Sequence, residues 1–266
     1  MTLKILFIGD IMGKPGRKAV KALLPNLKET LGIDAVIANA ENLAHGKGVS
    51  QVTLDEILSA GVDFCTSGNH IWSKNEAIGI LEQKDSILIR PANYPSSNPG
   101  KGAKILSIGT KSILVVNLMG RVFMKENLDC PFKKLDDILI QYSNEPLAGI
   151  IVDFHAEVTS EKNAFGLYAN GRVSAVLGTH THIPTADERV LPKGTAYITD
   201  VGMVGIRDSM IGLDYEAGIG GYLTQMPIKH EIPDGGIVIF NSVLIEIDTG
   251  TGKATRIERI QRTVEV

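Results

Sequence analysis

Five short apolar runs in this chain each end on a polar residue of a type that binds metal ions. A run of about four to eight apolar residues between breakers is typical of a buried β-strand. Parallel strands bring their C-terminal ends to one edge of a sheet, where sites are usually built. We therefore expect one cleft formed by Asp10, by Glu41 with Asn42, by Asn69 with His70, by His155, and by His180 with His182.

Hydrophobic periodicity in the first third of the chain predicts alternating strands and helices. One helix is predicted to begin near Pro15, which suits a first helical position, and to end at Gly32. Pro25 lies inside this pattern and predicts a kink or a split. The other predicted elements are strands at 4–8, 35–38 and 63–66, and helices near 53–60 and 74–82.

From about residue 100 onward the predicted strands lie closer together. They occupy 104–108, 112–117, 149–154, 174–177 and 196–199, and a C-terminal hairpin pairs 236–248 with 255–264. So many strands with so few helices do not fit one doubly wound sheet. We predict a single α/β domain over residues 1–266, with two sheets packed face to face and helices outside.

Two segments lack a clear strand or helix pattern. Residues 90–100 are expected to be a loop that crosses the surface within the domain. Residues 211–227 are rich in glycine and hold several apolar positions. They are predicted to be either a mobile loop over the cleft or an ordinary loop.

Composition narrows the class of partner. Of the 266 residues, 44% are hydrophobic and 21% are charged, which supports a sizeable core and is ordinary for a soluble protein. The net charge of -3 offers no electrostatic footprint for nucleic acid or an anionic membrane. No segment approaches the ~20 apolar residues of a membrane span. We therefore expect a small-molecule partner, with no nucleic-acid duplex and no membrane.

The cysteines and the N-terminus indicate where the protein works. Cys65 lies in an apolar run and Cys130 precedes a proline, so both are expected to be free thiols. The chain enters its first strand almost at once, with no apolar segment of signal-peptide form. The expected location is the cytoplasm.

The first two strand ends offer carboxylates. Asp10 is either a metal ligand or only a helix cap, because aspartate after a strand often has the second role. Glu41 can bridge two cations through its two oxygens. Asn42 beside it is either an amide ligand or a loop residue bonded to its own backbone.

The third strand end combines a ligand with a candidate catalyst. Gly68 permits a sharp turn after the strand. Asn69 offers an amide oxygen to a hard cation. His70 is expected to point elsewhere and to act as a proton donor.

Histidines end the last two runs. His180 and His182 lie two positions apart just past a strand, so each can face a different metal. His155 is ambiguous by itself. His45 lies in a loop from which it could reach substrate, and Arg121 is either a phosphate contact or an exposed arginine bound to nothing.

Five segments together form a recognisable pattern. They are GDIMGKPGR at 9–17, NAEN at 39–42, TSGNHIW at 66–72, DFHAE at 153–157 and GTHTHIPTAD at 178–187. They resemble the signature of the calcineurin-like metallophosphoesterases, and in wording the YmdB-like subfamily, over nearly the whole chain. The resemblance implies a four-layer α/β/β/α sandwich in which two mixed sheets are flanked by helices.

The resemblance also implies two metal ions and their ligands. One ion takes Asp10, Glu41, Asn42 and His182, and the other takes Glu41, Asn69, His155 and His180. Many members of the superfamily have His where this chain has Met12 and Asp where it has Glu41; Asn42 is expected to replace the missing His. Imidazole, amide and carboxylate ligands without thiolate suit iron, manganese or zinc, and the resemblance favours iron or manganese.

The function implied by the resemblance is a phosphodiesterase acting on cyclic nucleotides, including 2′,3′-cyclic forms, assembled as a dimer or tetramer. Metal-activated hydroxide would attack the phosphate, and His70 would protonate the leaving alkoxide. Two alternatives stand beside it. One is a phosphomonoesterase or nuclease on the same scaffold, although the charge balance argues against a nuclease. The other is a regulatory metal-binding scaffold, against which the complete ligand set argues.

Overall fold

The computed structural model describes residues 1–266 and contains thirteen strands and six α-helices. The strands are β1 (Thr2–Ile8), β2 (Asp10–Ile11), β3 (Ala35–Asn39), β4 (Phe64–Thr66), β5 (Ala103–Ile108), β6 (Lys111–Met119), β7 (Gly149–His155), β8 (Ala175–Thr179), β9 (Arg189–Val190), β10 (Ala196–Ile198), β11 (Met203–Ile206), β12 (Ile237–Asp248) and β13 (Lys253–Glu265). The helices are α1 (Gly13–Leu31), α2 (Gln51–Ser59), α3 (Glu76–Glu82), α4 (Pro131–Gln141), α5 (Thr159–Ala169) and α6 (Tyr215–Thr224), with a 3₁₀ helix at Ile71–Ser73.

The strands form two mixed sheets. The first sheet has the order β2-β11-β12-β1-β3-β4, with β13 paired along β12, and the second has the order β5-β6-β7-β8-β10-β9. In the first sheet β1, β3 and β4 run parallel. In the second sheet β6, β7, β8 and β10 run parallel. The five predicted strand ends therefore divide between the two sheets.

Alternating side chains along the strands build the layers. In β1, Leu6 and Ile8 join a buried cluster with Leu24 of α1, whereas Ile5 and Phe7 join a second cluster between the two sheets. A third cluster packs the second sheet against α4 and α5. The order is thus helix, sheet, sheet, helix, and the predicted four-layer sandwich is confirmed.

The first helix shows how the local prediction compares with the structure. It begins at Gly13, ahead of the expected Pro15, and continues through Pro25 without a break, so the predicted split is wrong. Pro25 is exposed, and its ring faces solvent rather than the core. The helix ends as predicted, because Gly32 takes the left-handed conformation with φ 63°.

Other elements depart from the sequence-based expectation. Helices α4 and α5 were not predicted, and neither were the short strands β2, β9 and β11. The interpretation of 211–227 as a loop is wrong for α6, where the Asp214 side chain caps the helix by accepting a hydrogen bond from Ala217 N–H at 2.9 Å. No helix has both the length and the apolar character that crossing a membrane requires.

The loop at 90–100 is held by one buried side chain. The Arg90 guanidinium donates hydrogen bonds to the carbonyl oxygens of Pro91, Asn98 and Pro99 at 2.9 to 3.2 Å. This explains how a long segment without helix or strand keeps one path across the domain. Both cysteines are free, with Cys65 buried.

Candidate metal centre

Four of the expected ligands converge at the seam between the two sheets. Glu41 and Asn69 follow β3 and β4 of the first sheet, whereas His155 ends β7 and His180 follows β8 of the second. Nε2 of His155 lies 3.3 Å from Oε1 of Glu41, 3.0 Å from Oδ1 of Asn69 and 3.0 Å from Nδ1 of His180. One ligand atom from each of Glu41, His155 and His180 falls within 4.8 Å of the others, close enough to share a metal ion.

Hydrogen bonds behind the two histidines direct their lone pairs to this point. The Thr179 hydroxyl donates to Asp153 Oδ1 at 2.6 Å, so its oxygen accepts from Nδ1 of His155, 2.9 Å away. On the other ring, Nε2 of His180 donates to Oε2 of Glu157 at 3.0 Å. In the neutral rings, Nε2 of His155 and Nδ1 of His180 therefore carry no hydrogen. Such outer hydrogen bonds are what fixes a metal-binding histidine.

The remaining expected ligands form a second group. Oδ1 of Asp10 and Oδ1 of Asn42 are buried, and neither accepts a hydrogen bond. Nε2 of His182 lies 3.9 Å from Oδ1 of Asp10, while its Nδ1 donates to the carbonyl oxygen of Ile211 at 2.9 Å. Buried acceptors without a partner are rare in proteins. Carboxylate and amide oxygens beside an imidazole are a donor set that fits a divalent cation.

Charge and burial shift the pKa values in this centre. Burial raises the pKa of Glu41, but the neighbouring His155 outweighs it and lowers the pKa to about 2. Burial lowers the pKa of His155, but the carboxylates of Glu41 and Asp10 raise it to about 9. Burial and the charge of His155 lower the pKa of His180 to about 3. In the metal-free protein His155 therefore carries a proton beside the negatively charged Glu41 carboxylate. A bound metal ion would displace this proton.

His70 lies beside the cluster. Its backbone N–H donates to Oε2 of Glu41 at 3.0 Å, which ties its position to that of the expected bridging ligand. Its ring is half-buried and forms no hydrogen bond within the protein. Burial and the charge of Lys47 together lower the pKa of the His70 ring, although the Glu41 carboxylate acts to raise it.

The backbone at Gly68 packs directly against the side chains of His155 and Glu41. A Cβ atom at this position would lie 2.3 Å from Nε2 of His155 and 2.4 Å from Oε2 of Glu41. No side chain fits there, so the sharp turn expected at Gly68 is also a close approach.

Two residues whose roles the sequence left open make no hydrogen bond to the expected ligands. His45 is exposed and lines a cavity of about 530 Å³ together with Lys14 and Lys229. Arg121 donates its backbone N–H to the Glu161 carboxylate at 2.9 Å, and its guanidinium is exposed without a partner.

Sequence reasoning missed the residues behind the ligands. Asp153 is fully buried and accepts hydrogen bonds from Asn39, Thr66 and Thr179. Burial raises the pKa of Asp153 to about 7, against the charge of His155 and the hydrogen bonds from Thr179 and Thr66, which lower it. The available signal was spacing, because Asp153 and His155 are two apart on β7 and so share one face of the strand.

The two-sheet sandwich flanked by helices is the fold of the metallophosphoesterases, and the expected carboxylate, amide and imidazole ligands lie where the strands of its two sheets end. A family model described as YmdB-like protein matches residues 6–260. A 2′,3′-cyclic-nucleotide 2′-phosphodiesterase from Bacillus subtilis (strain 168) is 45% identical over 258 residues, which cover 97% of this chain and 96% of that protein. The chain belongs to the YmdB-like protein family.

Solved structures agree with this assignment. A structure described as a novel phosphatase from Mycoplasma pneumoniae has a TM-score of 0.92 and 38% identity, covering 100% of this chain and 94% of that chain. The NAD nucleotidase of Haemophilus influenzae has a TM-score of 0.59 and 16% identity, covering 100% of this chain and 56% of the other. The second likeness shows the fold alone.

Proposed function

We propose that this protein is a dinuclear-metal phosphodiesterase that hydrolyses cyclic nucleotides, foremost 2′,3′-cyclic AMP and then 3′,5′-cyclic AMP. The observation that carries the proposal is the pair of buried acceptor oxygens on Asp10 and Asn42 that lack any partner in the protein. The chain also belongs to a family, and its Bacillus subtilis relative is named a 2′,3′-cyclic-nucleotide 2′-phosphodiesterase.

The proposed ligands are those expected from the sequence. Asp10, Asn42 and His182 hold one ion, Asn69, His155 and His180 hold the other, and Glu41 contributes to both. The nitrogen and oxygen donors suit iron, manganese or zinc, and the family resemblance favours iron or manganese. The expected cytoplasmic location and homo-oligomeric assembly as a dimer or tetramer belong to the same proposal.

When bound, two such ions would lower the pKa of a coordinated water to about 7 and would neutralise charge on phosphate oxygens. The carboxylates of the chain only partly neutralise the charge of two such ions. Two divalent ions carry +4 and the carboxylates of Asp10 and Glu41 carry -2, so the centre holds about +2 before the reaction begins. An anionic phosphodiester is therefore attracted to it, although the whole chain carries -3.

His70 completes the reaction as the general acid. Its ring is free of hydrogen bonds within the protein and stands one residue from a proposed ligand, Asn69. A phosphate anion beside the ring favours its protonated form. Transfer of that proton to the leaving alkoxide accelerates the reaction roughly 10²–10⁴-fold.

The test is turnover of 2′,3′-cyclic AMP by protein loaded with Mn²⁺, beside a sample stripped with EDTA. Metal-dependent hydrolysis is expected, and chromatography of 2′-AMP against 3′-AMP shows which ester bond breaks. A loaded protein that hydrolyses neither cyclic nucleotide overturns the proposal. Activity on p-nitrophenyl phosphate alone would then indicate a phosphomonoesterase, and no activity on any ester would favour the regulatory scaffold.

A further inference from the structure

We propose that the buried ion pair of Lys162 and Asp200 is a positioning device for the metal-binding histidines His180 and His182, and that it acts through Thr181 between them. The inference rests on the proposed metal centre, because it explains how that centre is held. Neither Lys162 nor Asp200 contacts the expected ligand atoms; they act on the backbone that carries them.

The pair is deeply buried. The Lys162 side chain is 1% exposed, that of Asp200 is 0% exposed, and Nζ lies 2.6 Å from Oδ2. Lys162 comes from α5 and Asp200 follows β10, so the bond joins the outer helix layer to the sheet edge. A buried ion pair is costly to desolvate, and apolar residues of similar volume are often as stable. Stability alone is therefore a weak explanation for the pair.

The Asp200 carboxylate is directed at the histidine segment. Its Oδ2 accepts hydrogen bonds from the backbone N–H of Thr181 at 3.2 Å and from the Thr181 hydroxyl at 2.7 Å. Its Oδ1 accepts from Gly202 N–H at 2.8 Å. Lys162 binds the same oxygen as Thr181, so it fixes the orientation of the carboxylate and neutralises its charge.

The segment that Asp200 holds has a strained backbone. His180 has φ 98° and His182 has φ 66°, in the left-handed region that favours glycine. Non-glycine residues stay in this region where surrounding contacts hold them. Thr181 lies between these two residues, so its bond to Asp200 bears on both turns, beside the hydrogen bonds from His180 N–H to Oδ2 of Asp10 at 3.2 Å and from Met203 N–H to the His182 carbonyl at 2.9 Å. The turns direct Nδ1 of His180 towards His155 and Nε2 of His182 towards Asp10.

The experiment compares Thr181→Val with Thr181→Ser. Valine keeps the shape of the side chain and removes the hydroxyl, whereas serine keeps the hydroxyl that Asp200 accepts. We expect Thr181→Val to weaken Mn²⁺ binding at least about tenfold, measured by calorimetric titration of metal-free protein, and Thr181→Ser to retain most of the wild-type affinity. A purely structural role would lower the melting temperature of the metal-free protein and leave metal affinity unchanged.

Lys162→Met provides a second test from the other end of the pair. It is expected to weaken Mn²⁺ binding in the same direction as Thr181→Val. Wild-type affinity in both Thr181→Val and Lys162→Met overturns the inference and leaves the proposed function intact. If Lys162→Met does not fold, the Thr181 pair decides alone. A wild-type protein that binds no Mn²⁺ would overturn the proposed function and this inference together.

Discussion

Nε2 of His155 and Nδ1 of His180 lie 3.0 Å apart, and in neutral rings neither nitrogen carries a hydrogen towards the other. Two lone pairs at this distance repel unless a cation lies between them. In the metal-free protein that cation is a proton, since Glu41 and Asp10 outweigh burial and raise the pKa of His155 to about 9. The same carboxylates that hold the proton are available to a metal ion.

Replacement of the candidate general acid separates chemistry from metal binding. We expect His70→Ala to keep its metals and to lose roughly 10²–10⁴-fold in turnover of 2′,3′-cyclic AMP. The loss should be smaller on nitrophenyl esters, whose leaving group needs less protonation. His230→Ala is the matched control, because His230 is an exposed histidine that is not among the proposed ligands. Unchanged turnover of the cyclic nucleotide by His70→Ala would refute the acid role.

Removal of the expected bridging ligand should remove metal. We expect Glu41→Ala to lose at least one ion per chain, by elemental analysis, together with its activity. The reason is that Glu41 is the proposed ligand shared by both ions, and its Oε1 lies 3.3 Å from Nε2 of His155, another proposed ligand. Glu29→Ala removes an exposed carboxylate on α1 as the control. Full metal occupancy in Glu41→Ala would contradict the bridging assignment.

A single methyl group at Gly68 should disrupt the centre. Gly68→Ala places Cβ within 2.4 Å of His155 and Glu41 atoms, so we expect metal binding to fall and stability to drop by about 1–3 kcal/mol. Gly79→Ala is the control, since Gly79 is at an exposed position of α3 and its Cβ would meet nothing within 4 Å. That change should stabilise the protein by about 0.5–1 kcal/mol. Denaturant unfolding of both variants measures the contrast.

Asp187 should contribute to stability in a pH-dependent way. Burial raises the pKa of Asp187, but hydrogen bonds from the Thr185 and Thr199 hydroxyls, each 2.6 Å, outweigh it and lower the pKa below 3.8. Because the folded-state pKa is the lower one, this stabilisation is complete above the unfolded pKa and is lost as pH falls through the folded pKa.

Asp187→Asn should therefore melt at a lower temperature than wild type at pH 7, and the difference should shrink as the pH falls below about 3.8. Thermal unfolding at several pH values measures it. Asp85→Asn, at an exposed position, changes the net charge equally and serves as the control. A difference that is constant with pH would exclude the ionised carboxylate as its source.

Much of the fold could be predicted from the sequence, because a buried strand appears as an apolar run that ends on a polar residue. Asp10, Asn69 and His155 each close an apolar run, and a run can be read without knowing its neighbours in space. The helices that were missed lack such a signal. α5 contains Gly166, which lowers helix propensity, yet a Cβ there would lie 2.4 Å from the Tyr197 ring. That requirement comes from β10, about thirty residues later in the chain.

The residues that hold the proposed ligands in place could not be predicted, for the same reason. Lys162 is a charged residue on a helix, and its local sequence is that of a solvated position. Only its contact with Asp200, distant in the chain, explains why it is buried. Residue types and spacing can identify groups that would touch a metal, whereas the groups that hold them depend on packing between layers.

The division of the proposed ligands between the two sheets has a mechanical consequence. Asp10, Glu41, Asn42 and Asn69 lie in or just after strands of one sheet, and His155, His180 and His182 in or just after strands of the other. Ions bound by both sets would cross-link the two sheets at this edge. An ion present at about 100 times its Kd adds about 2.7 kcal/mol to the free energy of unfolding. Metal starvation would then make the protein both idle and easier to unfold and degrade, so its abundance would follow the supply of metal.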